Sequence, residues 1–440
     1  MTGLTEVDVY LDGGAGDPVR VGALRASFSG GRNLAAASFV YDTLYLARPG
    51  AYAISPDLPL TGGRTFTSES GNLFGALMDT SPDSWGRQIT TATRAAGQGA
   101  APHAVGDFDF LTGVSDFTRM GALRLRSGAE WLSPGEGAAA VRDLDHVLAV
   151  VRRYELQDAS SDEVDYLSSV ATATGGARPR ANVVTSSGRL ALAKLPHVKD
   201  RVDVGAWEAL ALTLARNAGV RAPSFTVRQA AGGTTVIVER FNRDRSGGRR
   251  HYISAATALR LGVHDGGRVT YVQFAGTISE LSSAPDQDLR EMFTRVALTV
   301  LINNVDDHWK NHGFLRTPAG WRLAPIFDVN PSPLHGVIHT RAISDEDDPR
   351  NRDIRSLFKT AGEYRLTEEQ ASAIVRAVAA QVAGWPSIAS GVGIPADEQA
   401  SMAAAFAETQ LAAARAFRPK LSPTTLSGPG APPSTVVTRG

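Results

Sequence analysis

Asn303-Asn304-Val305-Asp306-Asp307-His308-Trp309-Lys310-Asn311-His312-Gly313-Phe314 is the stretch that decides how this chain is read. An apolar helical segment runs into it, with Leu289, Phe293, Val296, Val300 and Leu301 at helical spacing. A second acid, Asp328, follows in Ala324-Pro325-Ile326-Phe327-Asp328-Val329-Asn330 after a short hairpin-like gap. Acid, amide five residues on, then another acid is an order suited to phosphoryl transfer. The first acid accepts or orients a hydroxyl proton. The amide and later carboxylate offer hard oxygens to magnesium. Two other readings of the block stay open. Asp, Asn and His after a helix also cap it and turn the chain. Asp307, His308 and His312 have donor types that suit zinc or manganese. No other His-rich segment completes such a shell, so His308 reads better as a hydrogen-bonded organiser of the loop.

Composition narrows the possibilities. The 440 residues suffice for two or three domains and a large core. Forty-five basic and 45 acidic side chains cancel, so no global field favours nucleic acid or an anionic membrane. The absence of cysteine excludes disulfides, thiolate zinc sites and cysteine nucleophiles, and fits a reducing cytosol. The N-terminus lacks the basic start and apolar run of a signal peptide. No apolar stretch approaches the roughly 20 residues of a membrane helix. The expectation is a soluble, cytoplasmic protein.

Working outward, Val7, Val9 and Leu11 alternate with polar residues, Asp12-Gly13-Gly14 turns, and Val19 and Val21 resume the alternation. Ser38-Phe39-Val40-Tyr41 and Leu44-Tyr45-Leu46 suggest further strands. Leu73 to Ala92 reads as helix interrupted at Ser81-Pro82-Asp83-Ser84-Trp85-Gly86. Another helix is expected near Asp143 to Arg153, strands at Asn182–Val184, Leu190–Pro196 and Thr234–Phe241, and a helix over 206–217. From about residue 254 the pattern is largely helical. Thr367 and Gln370 form a capping-box signature, with Ile374, Val375, Val378 and Val382 on one face behind it. One last Ala-rich helix is expected from Ala396 to Phe417. The acidic run Asp345-Glu346-Asp347-Asp348 reads as a solvated loop. The expected organisation is an N-terminal β-rich subdomain with helices over 1–150, a mixed nucleotide-binding part over 151–250, a helical lobe over 251–420, and a disordered tail over 421–440. A small lobe of strands joined to a helical lobe makes a cleft in which nucleotides fit.

Several upstream elements suit that cleft. Lys194 ends an apolar strand, where its ammonium can meet phosphate oxygens. Glu208, on the following helix, either holds Lys194 by an ion pair or is an exposed helix acid. Gly175-Gly176-Ala177 with Arg178 and Arg180 forms a loop where backbone N–H groups and guanidinium forks can approach phosphates. It is not a Walker A loop, since no Gly-Lys-Ser/Thr follows. Glu239-Arg240-Phe241 stands where a hinge would meet an adenine edge.

Together these pieces resemble the HipA family of bacterial toxin serine/threonine kinases. The matching stretches are Gly175–Arg180, Ala193-Lys194-Leu195-Pro196, Val238-Glu239-Arg240-Phe241, Asp306–Asn311 and Pro325-Ile326-Phe327-Asp328. Leu73-Phe74 and Ser81–Gly86 resemble the family's N-terminal segment. The likeness spans roughly residues 5–420. It implies an α+β, two-lobed fold akin to phosphoinositide-type and eukaryotic-type protein kinases, with ATP and Mg²⁺ as cofactors. It implies Asp306 as catalytic base, with His308 and Lys310 in support, and Asn311 and Asp328 as magnesium ligands. Lys194 is implied at the ATP phosphates with the loop residues Gly175, Gly176, Ala177 and Arg178, and Glu239, Arg240 and Phe241 near adenine. The implied partners are a small helix-turn-helix, HipB-like antitoxin, DNA only through that antitoxin, and a protein substrate such as an aminoacyl-tRNA synthetase. Two departures stand out. Ala173 takes the place of a serine that is often autophosphorylated, with Thr172 and Thr174 beside it. Arg180 stands where lysine is common, a planar fork instead of a point donor. Two other functions stay open: a pseudokinase serving as co-repressor with a DNA-binding partner, and a kinase for a small molecule.

Overall fold

The computed structural model describes residues 5–13, 16–31, 33–68, 72–96, 105–135, 137–171, 176–262, 269–334 and 341–417. The fold is α+β. Three sheets follow one another along the chain, and helices dominate after the last of them.

The first sheet has six strands in the order Arg64–Phe66, Asn33–Tyr41, Val19–Ser29, Glu6–Leu11, Leu123–Ser127 and Glu130–Trp131. Its alternation is visible in Glu6–Leu11, where Val7 and Val9 are buried and Glu6 is exposed. Leu44-Tyr45-Leu46 is not a strand. Asp42 accepts from the Leu44 N–H at 2.8 Å and caps a single helical turn, Thr43–Leu46, so that Tyr45 packs inward beside Tyr41. The local cap outweighs the β propensity of the tripeptide.

The second sheet runs Phe225–Ala230, Gly233–Glu239, Leu190–Lys194, Arg180–Val184 and Ala139–Ala140. It is antiparallel except for its last pair. In its register Arg180 lies directly opposite Lys194. Helix Val204–Asn217 packs against Gly233–Glu239 and brings Glu208 over the sheet. Helices Leu144–Glu155 and Ser161–Ala171 form a separate apolar cluster with strands Arg180–Val184 and Leu190–Lys194 through Val147, Val150, Leu167, Val183 and Ala193.

The third sheet, Tyr252–Ser254, Gly313–Thr317 and Gly320–Leu323, interrupts the helical pattern expected after residue 254. Behind it stands Pro285–Leu301, whose residues from Met292 to Leu301 are all buried. The capping box at Thr367 and Gln370 is present, and Ile374, Val375, Val378 and Val382 are buried on one face. Ala396 to Phe417 is broken into Ala396–Met402, a 3₁₀ turn Ala403–Phe406, and Glu408–Ala416. The break lets Phe406 stack on Trp385 at 4.4 Å, and Phe417 stack on Phe358 at 3.4 Å between ring centroids. Aromatic burial there overrides alanine's helix propensity. The acidic run 345–348 is a loop with Asp345, Glu346 and Asp348 exposed. The tail 421–440 lies outside the described residues. Among the described residues no helix is long and apolar enough to cross a membrane.

Gly205 offers a check on how Glu208 is positioned. In an exposed helix, Gly→Ala gains about 1 kcal/mol. Here the added methyl would press into the carbonyl oxygen of Thr234, a backbone atom that cannot move aside alone. Gly205→Ala is expected to destabilise the protein by about 1–3 kcal/mol, the usual cost of overpacking. Urea unfolding reads this directly, and an unchanged or raised midpoint would contradict the packing described.

Candidate active site

One cavity collects residues from the second and third sheets, from the helix over the second sheet and from loops around them. Gly176, Arg180, Lys194, Glu208, Glu239, Arg240, Phe241, His308, Lys310, Asn311 and Asp328 all line it. Lys194, Asn311 and Asp328, far apart in the chain, therefore share a wall of one cleft.

Among the lining residues is a cluster of four charges, with Arg180 and Glu208 buried and Lys194 and Asp328 half-buried. Arg180 and Lys194 project from directly opposed strand positions, a like-charge pairing that is unfavourable by itself. Asp328 resolves it. Its Oδ2 accepts from the Arg180 guanidinium at 3.0 Å, its Oδ1 at 3.2 Å, and Oδ1 also accepts from Lys194. Lys194 donates in turn to Glu208, which is buried and so not the exposed helix acid that the sequence also allowed. Burial by itself would raise the pKa of Asp328, but Arg180 and Lys194 outweigh it and hold the carboxyl well below the usual range. Burial pushes Glu208 up; Lys194 opposes this and Asp328 adds to it. The ion pair and the upward shift are compatible because one ammonium is shared by two carboxylates.

The loop that carries Asp306 is held from beneath. Helix Pro285–Leu301 ends at Ile302, and Asn303 takes the left-handed conformation, φ 48°, which asparagine tolerates. Its side-chain amide donates to the carbonyls of Ser332 and Leu334, both at 2.7 Å. Asp307 points into the core, accepting from Tyr271 and contacting His312 Nε2 at 3.0 Å. Burial opposes its charge, yet His312 and Tyr271 more than offset this and hold its pKa low. His308 instead faces the cleft. Asp307, His308 and His312 therefore do not converge on a metal, and no such cluster of three occurs among the described residues. Asn311 Nδ2 donates to the Asp306 carbonyl at 2.9 Å, which leaves its Oδ1 for a cation. Asp306 itself is exposed and does not line the cavity.

The upstream residues divide. The Glu239 and Arg240 N–H groups already donate to Ser224 and Leu190 carbonyls at 2.8 and 3.0 Å, which leaves the Phe241 N–H for a ligand edge. Glu239 pairs through its side chain with Arg189 at 2.9 Å. Phe241 packs 5.3 Å from Phe327, the neighbour of Asp328. Arg240 lines the cavity, and its guanidinium is held by the Asn182 and Asn242 side chains and the Thr118 carbonyl. Arg178 pairs with Asp200, and neither it nor Ala177 lines the cavity. Gly175, with Thr172, Ala173 and Thr174, lies outside the described residues.

A set of cleft residues from the N-terminal part went unread as chemistry. Asp83 Oδ1 accepts from Lys310 at 2.9 Å, and Oδ2 from the Gly176 N–H at 3.2 Å. It ties the glycine loop to the segment that carries Asp306 and Lys310. Asp79 is half-buried beside Ser254, whose N–H it accepts at 2.7 Å; burial pushes its carboxyl up to about 6. The signal was present in Ser81-Pro82-Asp83-Ser84-Trp85-Gly86, a polar segment too dense for a simple helix stop. Trp85 fixes it by donating from Nε1 to the Arg180 carbonyl at 2.9 Å.

The donor set fits a magnesium nucleotide: hard oxygens at Asn311 and Asp328, and cations at Lys194, Arg180 and Lys310. Comparison with known proteins bears on the family and the fold. Residues 172–385 match the family model of the HipA-like C-terminal domain. The fold is similar to that of HipA from Shewanella oneidensis MR-1, solved with HipB and operator DNA. The identity is 16%, the match covers 93% of this chain and 96% of that one, and the TM-score is 0.63. The proinflammatory kinase CtkA of Helicobacter pylori is similar at 13% identity over 55% of this chain and 92% of its own, with a TM-score of 0.42. No curated protein matches the sequence.

The charge cluster has a pH signature. A carboxyl with a depressed folded pKa adds stability above its unfolded value of about 3.9, and that stability is lost as pH falls toward the folded value. Asp328→Asn keeps the shape and tolerates the left-handed φ of 52° at this position, but cannot ionise. The wild type is expected to be more stable than Asp328→Asn at pH 7, with the gap closing below about pH 4. Denaturant unfolding at pH 7, 5 and 3 checks it; a gap that stays constant to pH 3 would show that Asp328 is not held ionised by Arg180 and Lys194.

Proposed function

We propose that this chain, which belongs to the HipA family, is an ATP- and Mg²⁺-dependent serine/threonine protein kinase and the toxin of a toxin–antitoxin pair. The observation that carries the reading is the meeting of Lys194, Arg180, Asn311 and Asp328 in one cleft that Phe241 also lines. Kinase chemistry asks a protein mainly to position groups and neutralise charge. Lys194, steadied by Glu208, pairs with phosphate oxygens of ATP. Asn311 and Asp328 hold Mg²⁺, which when bound neutralises charge on the phosphates. Arg180, now on Asp328, is placed to follow the phosphates once the carboxylate takes the metal. Asp306 orients the substrate hydroxyl and receives its proton as the oxygen bonds to the γ-phosphorus and the bond to the β-phosphate oxygen breaks, releasing ADP. The exposure of Asp306 suits a hydroxyl presented by a protein. Apolar Leu192, Leu212 and Val238 line the same cleft and suit an adenine ring.

The partner proposed is a helix-turn-helix antitoxin, with DNA reached only through it. The Shewanella protein was solved with HipB and operator DNA, and a net charge of zero gives this chain no field of its own for DNA. The substrate proposed is a translation protein such as an aminoacyl-tRNA synthetase. A second reading, a pseudokinase co-repressor, has one feature in its favour: both oxygens of Asp328 are engaged by Arg180.

Transfer of labelled phosphate from ATP to proteins of a cell lysate separates the two. Asp306→Asn is expected to keep ATP binding and lose transfer by about 10²–10⁴-fold, the usual worth of a general base. Near-normal transfer would remove Asp306 from its role, and no labelled protein from the wild type under any divalent metal would favour the co-repressor. Asp328→Ala is expected to weaken Mg-ATP binding as well, measured by calorimetry with and without the metal; affinity equal to wild type in Mg²⁺ would take Asp328 out of the metal site.

A further inference from the structure

A second cavity, of about 350 Å³, shares Phe241 with the nucleotide cleft. Six arginines line it: Arg189, Arg221, Arg243, Arg245, Arg250 and Arg322. One acid, Asp244, is in the same wall. Behind the wall, Glu239 pairs with Arg189, Asp288 with Arg221 and Arg322, and Glu291 with Arg221. Six cations thus face four acids, and the surplus sits on particular side chains. The guanidinium groups of Arg245 and Arg250 make no hydrogen bond or ion pair among the described residues. Arg243 is buried, and its guanidinium meets only the carbonyls of Gly121, Asn242, Phe117 and Arg119, at 2.9–3.2 Å. A buried cation that meets carbonyls and no carboxylate is one that an incoming anion would stabilise.

The hairpin that carries Arg243, Arg245 and Arg250 is built in advance. Arg243 and Arg249 form a bridge, and the Asp244 N–H donates to the Gly248 carbonyl at 2.8 Å. Asp244 Oδ1 accepts from the Ser246 N–H, the Ser246 hydroxyl and the Gly248 N–H at 2.7–2.9 Å. That oxygen is committed to the turn that carries the arginines, and Arg250 reaches Asp244 only through space. Gly247, at φ 86°, and Gly248, whose Cβ would strike the Asp244 carboxylate, permit the tight turn. A basin with surplus guanidinium forks on a fixed hairpin matches phosphate oxygens in geometry and charge. Its concave shape, with Leu315 and Pro325 in the wall, suits a small molecule better than a flat macromolecular face.

We propose that this arginine-lined basin is a second ligand site, distinct from the nucleotide cleft, that binds a small molecule bearing two or more phosphate groups. The proposal does not depend on the kinase reading. Pyrophosphate is the probe, titrated calorimetrically into the full-length protein at fixed ionic strength. Wild type is expected to bind it, the double variant R245A/R250A to lose the basin's binding at least tenfold, and Lys194→Ala, whose change is confined to the nucleotide cleft, to keep the binding that R245A/R250A removes. Circular dichroism of the double variant checks that it folds, and R245K/R250K, which keeps charge but loses the forks, is expected to fall between. Pyrophosphate binding that is absent, or lost in Lys194→Ala and kept in R245A/R250A, overturns the proposal. So does citrate binding as tightly as pyrophosphate, which would show an unselective anion patch. A short DNA duplex that displaces pyrophosphate with the same arginine dependence would reassign the basin to a nucleic-acid backbone and overturn it too.

Discussion

Two cations placed opposite each other on neighbouring strands, Arg180 and Lys194, set the terms for the rest of the molecule. Left alone they repel across a short gap in a partly dry cleft. The fold answers with two carboxylates from different directions: Glu208 from the helix on the sheet, and Asp328 from a loop after the third sheet. The mixed sheet and the helical part of the chain are thereby joined through charge as well as packing. Such a cluster contributes little net stability against apolar residues of the same volume, because each ion loses water. On the proposed reading it gathers, in mutual balance, the cations and the carboxylate that a magnesium nucleotide would divide between phosphate and metal.

The N-terminal part of the chain is drawn into the same site. Asp83 reaches both Gly176 and Lys310, and Trp85 holds the strand that begins with Arg180. The glycine loop thus depends on contacts some ninety positions away in sequence. An event that displaced the segment around Asp83 would reach the segments at Gly176 and Lys310 together, since one carboxylate serves both.

Several features were legible in the chain because they are local. The strand alternation at Val7 and Val9, the capping box at Thr367 and the order of acid, amide and acid after an apolar helix each depend on near neighbours. Elsewhere local propensity misled. Leu44-Tyr45-Leu46 became a helical turn because Asp42 caps it, and the Ala-rich end of the chain broke so that Phe406 and Phe417 could stack on distant aromatics. The arginine hairpin after Phe241 drew no notice, since its meaning comes from Arg189, Arg221 and Arg322 arriving from elsewhere.

By itself the sequence determined the α+β class, the family resemblance and the side-chain types of the cleft, because periodicity and motif order are properties of consecutive residues. Only the tertiary structure decided how those side chains are used. It turned Asp307 into the core and left Asp306 in solvent, paired Arg240 with Asn182 and Arg178 with Asp200, and brought Asp79 and Asp83 into the cleft. The physical reason is that a charged side chain takes its role from whichever partner and whatever degree of burial it meets in space. Both are fixed by contacts between segments that lie far apart along the chain.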